Sequence, residues 1–337
     1  MYTWGEIQLE TCKKMFLNSD YITVDDLDNL RTNNNYKTYF NGMAQAANEG
    51  ISEILKRGKP YIKTYNFVRK TNDNLLGNTL EIREHTYDDI TFETEEKESY
   101  DSIYDEQILK RNKDDLYKLI TIKEKDYSGY LVVVYDPSRI SLVTASHYGS
   151  SLKMLAKEND AVVAINASGF NISQGYANGV VIKDGKLVSN YGYNRHGGGI
   201  IGFTYNNVLM LTNGNSNEAI KKGIKDAVEF GPFLIVNGKP STIKGNGGLG
   251  TANRTAIAQR KDGIVLFLVI DGRMVGRPGA DMVDLTEMMA NYGAYNAANL
   301  DGGGSSTLVI NNELINNPRG YYGDNWERPL PNAWIVK

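Results

Sequence analysis

The chain has 337 residues, 41% of them hydrophobic and 23% charged, and a formal net charge of −3. That is enough apolar material for a sizeable core and enough length for two units, while a slightly acidic balance argues against general affinity for nucleic acid. Cys12 is the only cysteine, which excludes an internal disulfide and a multi-cysteine zinc site, and the three histidines, His85, His147 and His196, are far apart, which argues against a histidine metal cluster.

The opening residues Met1 to Glu6 lack a basic stretch followed by an apolar one, and no apolar run reaches membrane-spanning length. No signal peptide and no membrane span are therefore expected, with synthesis in the cytoplasm. Residues 1–70 read as a small helical module. Ile7, Leu9, Cys12, Met15 and Phe16 recur near helical spacing, as do Met43, Ala46, Ala47, Ile51, Ile54 and Leu55 before Gly58-Lys59-Pro60. This opening resembles short head–tail or neck proteins of phages, which implies phage structural proteins as partners and association with a virion. Residues 71–115 are polar and acidic and read as a connector with some strand at Leu80, Ile82, Ile90 and Phe92.

From residue 116 the pattern changes to short β-branched runs separated by turn signals. Strands are predicted at Tyr130 to Tyr135, Ile140 to Thr144 and Ala161 to Ile165, with a helix at Ser151 to Glu158. Asp184-Gly185, Asn237-Gly238 and Asp262-Gly263 each predict a hairpin. An amphipathic helix is expected after Asp281, closing at Gly293, and a last strand at Ala333 to Val336. Hairpins outnumber crossover helices, so residues 116–337 are expected to form an α+β, β-rich domain of mixed sheets with few helices.

Three apolar strands end in a polar residue followed by small ones, at Asn166, Asp271 and Asp301; neighbouring strands would bring them to one end of one sheet. Asp301 opens Gly302-Gly303-Gly304-Ser305-Ser306-Thr307, whose glycines suit close approach of backbone N–H groups to an anion and whose hydroxyls supply neutral hydrogen bonds. Arg254 enters a strand beside the glycine-rich Gly245 to Gly250 segment, a candidate lid, and suits bidentate binding of phosphate or carboxylate. Glu229, His196 and Arg328 are further candidates; Arg273 and Arg277 follow Asp271. The glycine loop lacks the lysine of a P-loop, and no Gly-x-Ser-x-Gly elbow occurs. The inventory of carboxylates, amides, hydroxyls and arginine suits glycosyl chemistry, with paired carboxyls as acid and as base or nucleophile. The 22 tyrosines fit sugar binding equally with an AT-rich genome.

In order along the chain, Ile165-Asn166-Ala167-Ser168-Gly169-Phe170, Glu229-Phe230-Gly231-Pro232, Arg254 to Ala258, Val269 to Arg273, Asn299 to Thr307 and Arg328-Pro329-Leu330-Pro331-Asn332 resemble the phosphodiester glycosidase family. The likeness covers about residues 116–337. It implies hydrolysis of a sugar-1-phosphodiester, on a glycosyl-phosphate or polysaccharide substrate, to free sugar and a phosphomonoester, for example in a bacterial wall polymer or capsule. Asp301, Asp271 and Glu229 would be catalytic; Asn166, Arg254, His196, Arg328 and the Gly302 to Thr307 loop would bind substrate. Which Asp acts as acid stays open. The chain departs from the family pattern at Ala167-Ser168, where glycine is common. Two other readings remain: a non-catalytic glycan-binding or structural virion module, and a Ca²⁺ or Mg²⁺ ion held by Asp271 and Asp301.

Overall fold

The structure is a computed structural model that describes residues 90–92, 99–146, 148–192, 197–243, 245, 247–320 and 327–337. The helical module at 1–70, most of the connector and His196 lie outside the described residues. The candidate lid, Gly245 to Gly250, falls outside the larger unit. The larger unit, residues 78–243 and 251–337, carries every helix and strand among the described residues.

A short helix α1 (Ile103–Leu109), capped by the Ser102 hydroxyl, leads into β1 (Tyr117–Lys123) and β2 (Ser128–Val134). The helix falls within the stretch expected to be a polar connector. Its hold is an ion-pair cluster at the surface of the core, in which Arg260 meets Asp105 at 2.8 Å and Asp262 at 2.8 Å. Next come β3 (Ile140–Thr144), α2 (Leu152–Glu158) capped by Ser151, and β4 (Val163–Asn166). The middle of the chain supplies β5 (Gly179–Lys183), β6 (Lys186–Tyr191), β7 (Gly199–Thr204), β8 (Leu209–Thr212), α3 (Ser216–Lys221), β9 (Ile224–Phe230), β10 (Phe233–Val236) and β11 (Lys239–Pro240). The rest is β12 (Arg254–Arg260), β13 (Val265–Asp271), α4 (Met282–Asn291), β14 (Ala294–Leu300), β15 (Leu308–Ile310), β16 (Glu313–Leu314) and β17 (Asn332–Val336).

These strands form three sheets, and every strand pair among the described residues is antiparallel. The first runs β1-β2-β13-β12-β14-β10-β11, the second β16-β15-β4-β17-β3, and the third β6-β5-β9-β7-β8. The three hairpin signals hold: Asp184 and Asn237 take left-handed φ values of 50° and 49°, each followed by a positive-φ glycine, and Gly263 lies at 87° between β12 and β13. Helix α4 starts where Asp281 accepts from the N–H groups of Val283 and Asp284 while Asp284 accepts from Asp281 in return, a reciprocal cap. It stops at Gly293, φ 75°.

All residues of β12 and β13 are buried; β13 is a near-continuous apolar run, whereas β12 buries Arg254, Thr255, Gln259 and Arg260 beside Ala256, Ile257 and Ala258. One core joins the sheets, with Val132, Phe267 and Ile257 from the first, Leu142, Ile165 and Trp334 from the second, and Val181, Ile201 and Phe203 from the third. Trp334 is fully buried and meets Phe203 edge to face at 5.5 Å. Trp334→Ala should lower unfolding free energy by about 3–5 kcal/mol, as emptied large core sites do, read as a lower urea midpoint; an unchanged midpoint would show that the second and third sheets do not depend on this contact.

Candidate active site

Antiparallel pairing decides which side chains meet. Arg254 pairs with Ile270 and Thr255 with Leu300, so the start of β12 lies between the ends of β13 and β14. Asp271 and Asp301 therefore emerge at one end of the first sheet with Arg254 between them. Asn166 does not share that sheet, contrary to expectation. It ends β4 in the second sheet, where Ala333 and Leu308 mark the matching ends of β17 and β15. The segment from Asp301 to Thr307 is the crossover from β14 in the first sheet to β15 in the second, which is why the three residues still converge.

Asn166 is fully buried, and its amide is engaged on both sides. Its Nδ2 donates to the Asp301 carbonyl at 2.7 Å; its Oδ1 accepts from Thr255 Oγ1 at 2.7 Å and from Thr307 N at 3.2 Å. One side chain thus fixes both ends of the crossover. The Ala167-Ser168 departure has no conformational consequence: neither residue takes a positive φ, and Ser168 donates from N and Oγ to Asn332 Oδ1 at 2.9 and 3.0 Å.

The crossover's backbone amides do not face outward as expected. Asp301 N donates to Ala167 O, Gly303 N to Asn253 O, Ser305 N to Gly302 O and Ser306 N to Gly303 O, at 2.8 to 3.2 Å. The Gly302 N–H serves the Asp301 carboxylate. The glycines make room for something else. A methyl group on Gly302 would lie 3.5 Å from Arg254 Nη1, on Gly303 2.9 Å from Arg273 Nη2, and on Gly304 2.8 Å from Arg328 Nε. Gly303 and Gly304 thus each accommodate one guanidinium, Gly303 also needing its φ of 61°, while the tight neighbour of Gly302 is the Asn253 carbonyl at 3.0 Å. Arg254, Arg273 and Arg328 thus lie along the glycine segment, and the cationic groups at the crossover are side chains.

Asp301 keeps part of its surface exposed, yet burial pushes its carboxyl up to about 6 against the opposing pull of the Ser305 hydroxyl, Arg328, the Gly302 N–H and Arg254. Ser305 Oγ lies 3.4 Å from Arg328 Nη1, joining the pair. Asp271 is buried and also raised, mainly by desolvation, although its Oδ1 accepts from Asn316 Nδ2 at 2.9 Å and Asn317 N at 3.0 Å and Arg319 pulls the other way. Burial and the neighbouring Arg273 push Arg254 down to about 10, which leaves it cationic at neutral pH; its Nε donates to Ala280 O. Ser306 Oγ is buried with no hydrogen-bond partner, and Thr307 Oγ1 donates to Ser305 O.

Glu229 is buried in β9 of the third sheet, against Gly179 and opposite Ile200. Just after it, the carbonyls of Gly231 and Pro232 accept from Asn299 Nδ2 and N, two residues before Asp301. Arg277 is exposed on the turn closed by Met274. Sequence reasoning missed Thr255, Asn316 and Arg319 as site residues; amides and hydroxyls carry no distinctive spacing, and Arg319 only follows Asn316-Asn317-Pro318. Among the described residues no group of three or more His, Cys, Asp or Glu side chains could hold a metal ion. The donor set does not fit Ca²⁺ or Mg²⁺ either, because arginines flank both carboxylates.

A family model described as phosphodiester glycosidase matches residues 159–337. A Bacillus subtilis SPbeta prophage-derived uncharacterized protein, YomE, is 32% identical over 194 residues, 54% of this chain and 30% of that protein. Bovine and human N-acetylglucosamine-1-phosphodiester alpha-N-acetylglucosaminidase are 26% and 24% identical, over 57% and 64% of this chain and 39% and 46% of theirs. The chain spans less than half the length of these curated relatives. The catalytic domain of the zebrafish enzyme of that name, auto-inhibited by its pro-peptide, shares the fold at a TM-score of 0.56 and 20% identity, covering 67% of this chain and 85% of that one.

Gly303→Ala should cost about 1–2 kcal/mol for its left-handed backbone and displace Arg273. Thermal unfolding checks the first effect, and a smaller rise in Tm on adding inorganic phosphate checks the second; an identical phosphate response in wild type and variant would count against the three arginines as an anion site.

Proposed function

Because this chain belongs to the phosphodiester glycosidase family, we propose that it hydrolyses a sugar-1-phosphodiester at the Asp301 crossover, releasing free sugar and a phosphomonoester. The observation that carries this is the set of three arginines, two of them packed over Gly303 and Gly304, along a crossover whose carboxyl is raised to about 6. Cleaving the bond between the anomeric carbon and the phosphate oxygen sends the electron pair to that oxygen. A phosphomonoester has a second pKa of about 6, so it leaves without needing a strong proton donor. What the reaction needs is an activated water and stabilisation of charge on both fragments.

Asp301 in its ionised form takes the water's proton as the water oxygen bonds to the anomeric carbon. Its raised value makes it a better base than an ordinary aspartate while leaving it mostly ionised at neutral pH. Asp271, held by Asn316 and Asn317, stabilises the oxocarbenium-like transition state. Arg254, Arg273 and Arg328 hold the phosphate, bidentate geometry matching its oxygens. Asn166, with no free end, positions the crossover; Ser305 orients Asp301. Glu229 stays a candidate catalytic group and His196 a candidate for substrate contact.

The prophage-encoded relative supports a finer reading, in which the substrate is a bacterial wall polymer or capsule and the protein travels with a phage particle through its N-terminal module. A catalytic role distinguishes this from a binding module by steady release of reducing sugar.

Asp301→Asn should abolish sugar release from the methyl diester of N-acetylglucosamine 1-phosphate and leave the circular dichroism spectrum unchanged; full activity in the variant would remove Asp301 from the mechanism. The pH dependence has a definite sign. Below about 6 the Asp301 carboxyl is protonated and cannot accept a proton, so kcat/KM should rise as pH rises through about 6 and level above it. A profile that falls across the same range would assign Asp301 the opposite role of proton donor.

A further inference from the structure

Beside the site the surface changes character. Tyr148 and Tyr191 are 77% and 57% exposed, Tyr176 is 38% exposed, and the Tyr176 and Tyr191 rings meet at 5.0 Å and 46°. Ile172 is exposed near them in sequence. These rings come from three separate segments that the fold brings together: the loop after β3, the loop after β4 and the end of β6.

The patch is continuous with the active site through contacts of the backbone. Arg328, over Gly304, is followed by Pro329 and Leu330, and Leu330 pairs with Ser150 through hydrogen bonds of 2.7 and 2.9 Å. A methyl on Gly149 would lie 3.1 Å from Leu330 O and the Pro329 carbonyl carbon, so that segment packs directly beside Tyr148. Gly175 in turn has no room for a methyl against the Tyr148 backbone, which sets Tyr176 next to Tyr148 in the chain of contacts. Gly175 is held by a turn in which its N–H donates to Asn171 O at 2.7 Å and Asn171 N donates to Tyr176 O at 3.0 Å. The same loop starts at Ala167, whose carbonyl accepts from Asp301 N.

Tyr148 also sits at φ 71°, a backbone that costs a non-glycine residue about 1–2 kcal/mol. Its ring is mostly in solvent, so burial does not repay that strain. The segments that carry Tyr176 and Tyr191 are uncharged. Residues 167–182 and 187–192 contain no Asp, Glu, Lys or Arg. Nucleic acid and anionic lipid surfaces both require cationic side chains for attraction, and these segments have none. Uncharged aromatic rings on segments that also carry Asn171, Ser173, Gln174, Asn178 and Asn190 match a ligand with apolar C–H faces and neutral hydroxyl edges: a ring's negative face attracts the polarised C–H groups, and amides and hydroxyls pair with its edges.

We infer that Tyr148, Tyr176 and Tyr191 form a stacking platform for the neutral sugar units of a glycan that continues from the cleavage site past Arg328. This rests on the phosphodiester glycosidase reading and narrows its substrate class to a glycosyl-phosphate attached to an oligosaccharide or polysaccharide.

The test separates binding from turnover by using oligosaccharides without phosphate, which the reaction cannot consume. Chitotetraose, maltotetraose and mannotetraose are titrated into the full chain by calorimetry. The comparison protein carries Tyr148→Gly, Tyr176→Ala and Tyr191→Ala, glycine being chosen where φ is positive, and circular dichroism checks its fold. At least one oligosaccharide should bind wild type and bind the triple variant about tenfold or more weakly, a loss of about 1.4 kcal/mol. Tyr176→Phe and Tyr191→Phe, which keep the rings, should bind as wild type does. Equal binding with and without the tyrosines, no binding of any of the three, or a tyrosine-dependent shift seen only in sedimentation of the chain itself or in binding to neutral lipid vesicles would overturn the platform. Each of those results leaves sugar release from the methyl diester as a separate measurement, so failure of the platform and failure of the enzymatic reading are distinguishable.

Discussion

The amide of Asn166 is the interaction on which the rest depends. It joins the first residue of the crossover, the last residue of the crossover and the strand that carries Arg254, through three hydrogen bonds of 2.7 to 3.2 Å. An amide is the side chain that can do this, because it donates on one side and accepts twice on the other within a single rigid plane. A carboxylate there would meet the Asp301 carbonyl with repulsion. Buried and fully engaged, the group also makes the two sheets commit to one relative register, since slipping either by a residue would orphan polar atoms in the core.

The glycines and arginines follow from that frame. With both ends of the crossover fixed and most of its N–H groups turned inward, the loop itself has little left to offer an anion. The positive groups come instead from the start of β12, from the turn after β13 and from the segment before β17, and the last two need the space that a side chain on Gly303 or Gly304 would take. Placing cationic side chains so close to Asp301 would ordinarily hold a carboxyl well below its usual range. Here burial outweighs them, leaving the group near 6. The balance of desolvation against arginine and hydroxyl partners sets the site's chemistry.

The sequence made local features readable and left partnerships hidden. Asp184-Gly185, Asn237-Gly238 and Asp262-Gly263 announced their hairpins because turn chemistry acts over two residues, and Asp281 and Gly293 bracketed α4 for the same reason. The division into three sheets was invisible, since an apolar run such as Ala161 to Ile165 states that a strand is buried without stating beside what. That is why Asn166 was expected in one sheet with Asp271 and Asp301. The ordered motifs pointed to the two aspartates and Arg254 but not to the packing of the glycines: spacing showed that a close approach would occur, and only the packing showed guanidinium groups over Gly303 and Gly304. Helix α1 was hidden within an acidic stretch because its anchor, Arg260, is 155 residues away from Asp105.

A site built into the covalent bridge between two sheets has a dynamic consequence. Loops that merely decorate a scaffold can fray while the scaffold stays folded, so many enzymes lose function well before structure. In this chain the crossover's amides are bonded to Ala167, Asn253 and Asn166, and releasing them means separating strands of both sheets. Local opening and global unfolding then become one event. The reacting geometry is present as soon as the sheets have paired, and it disappears only when they part.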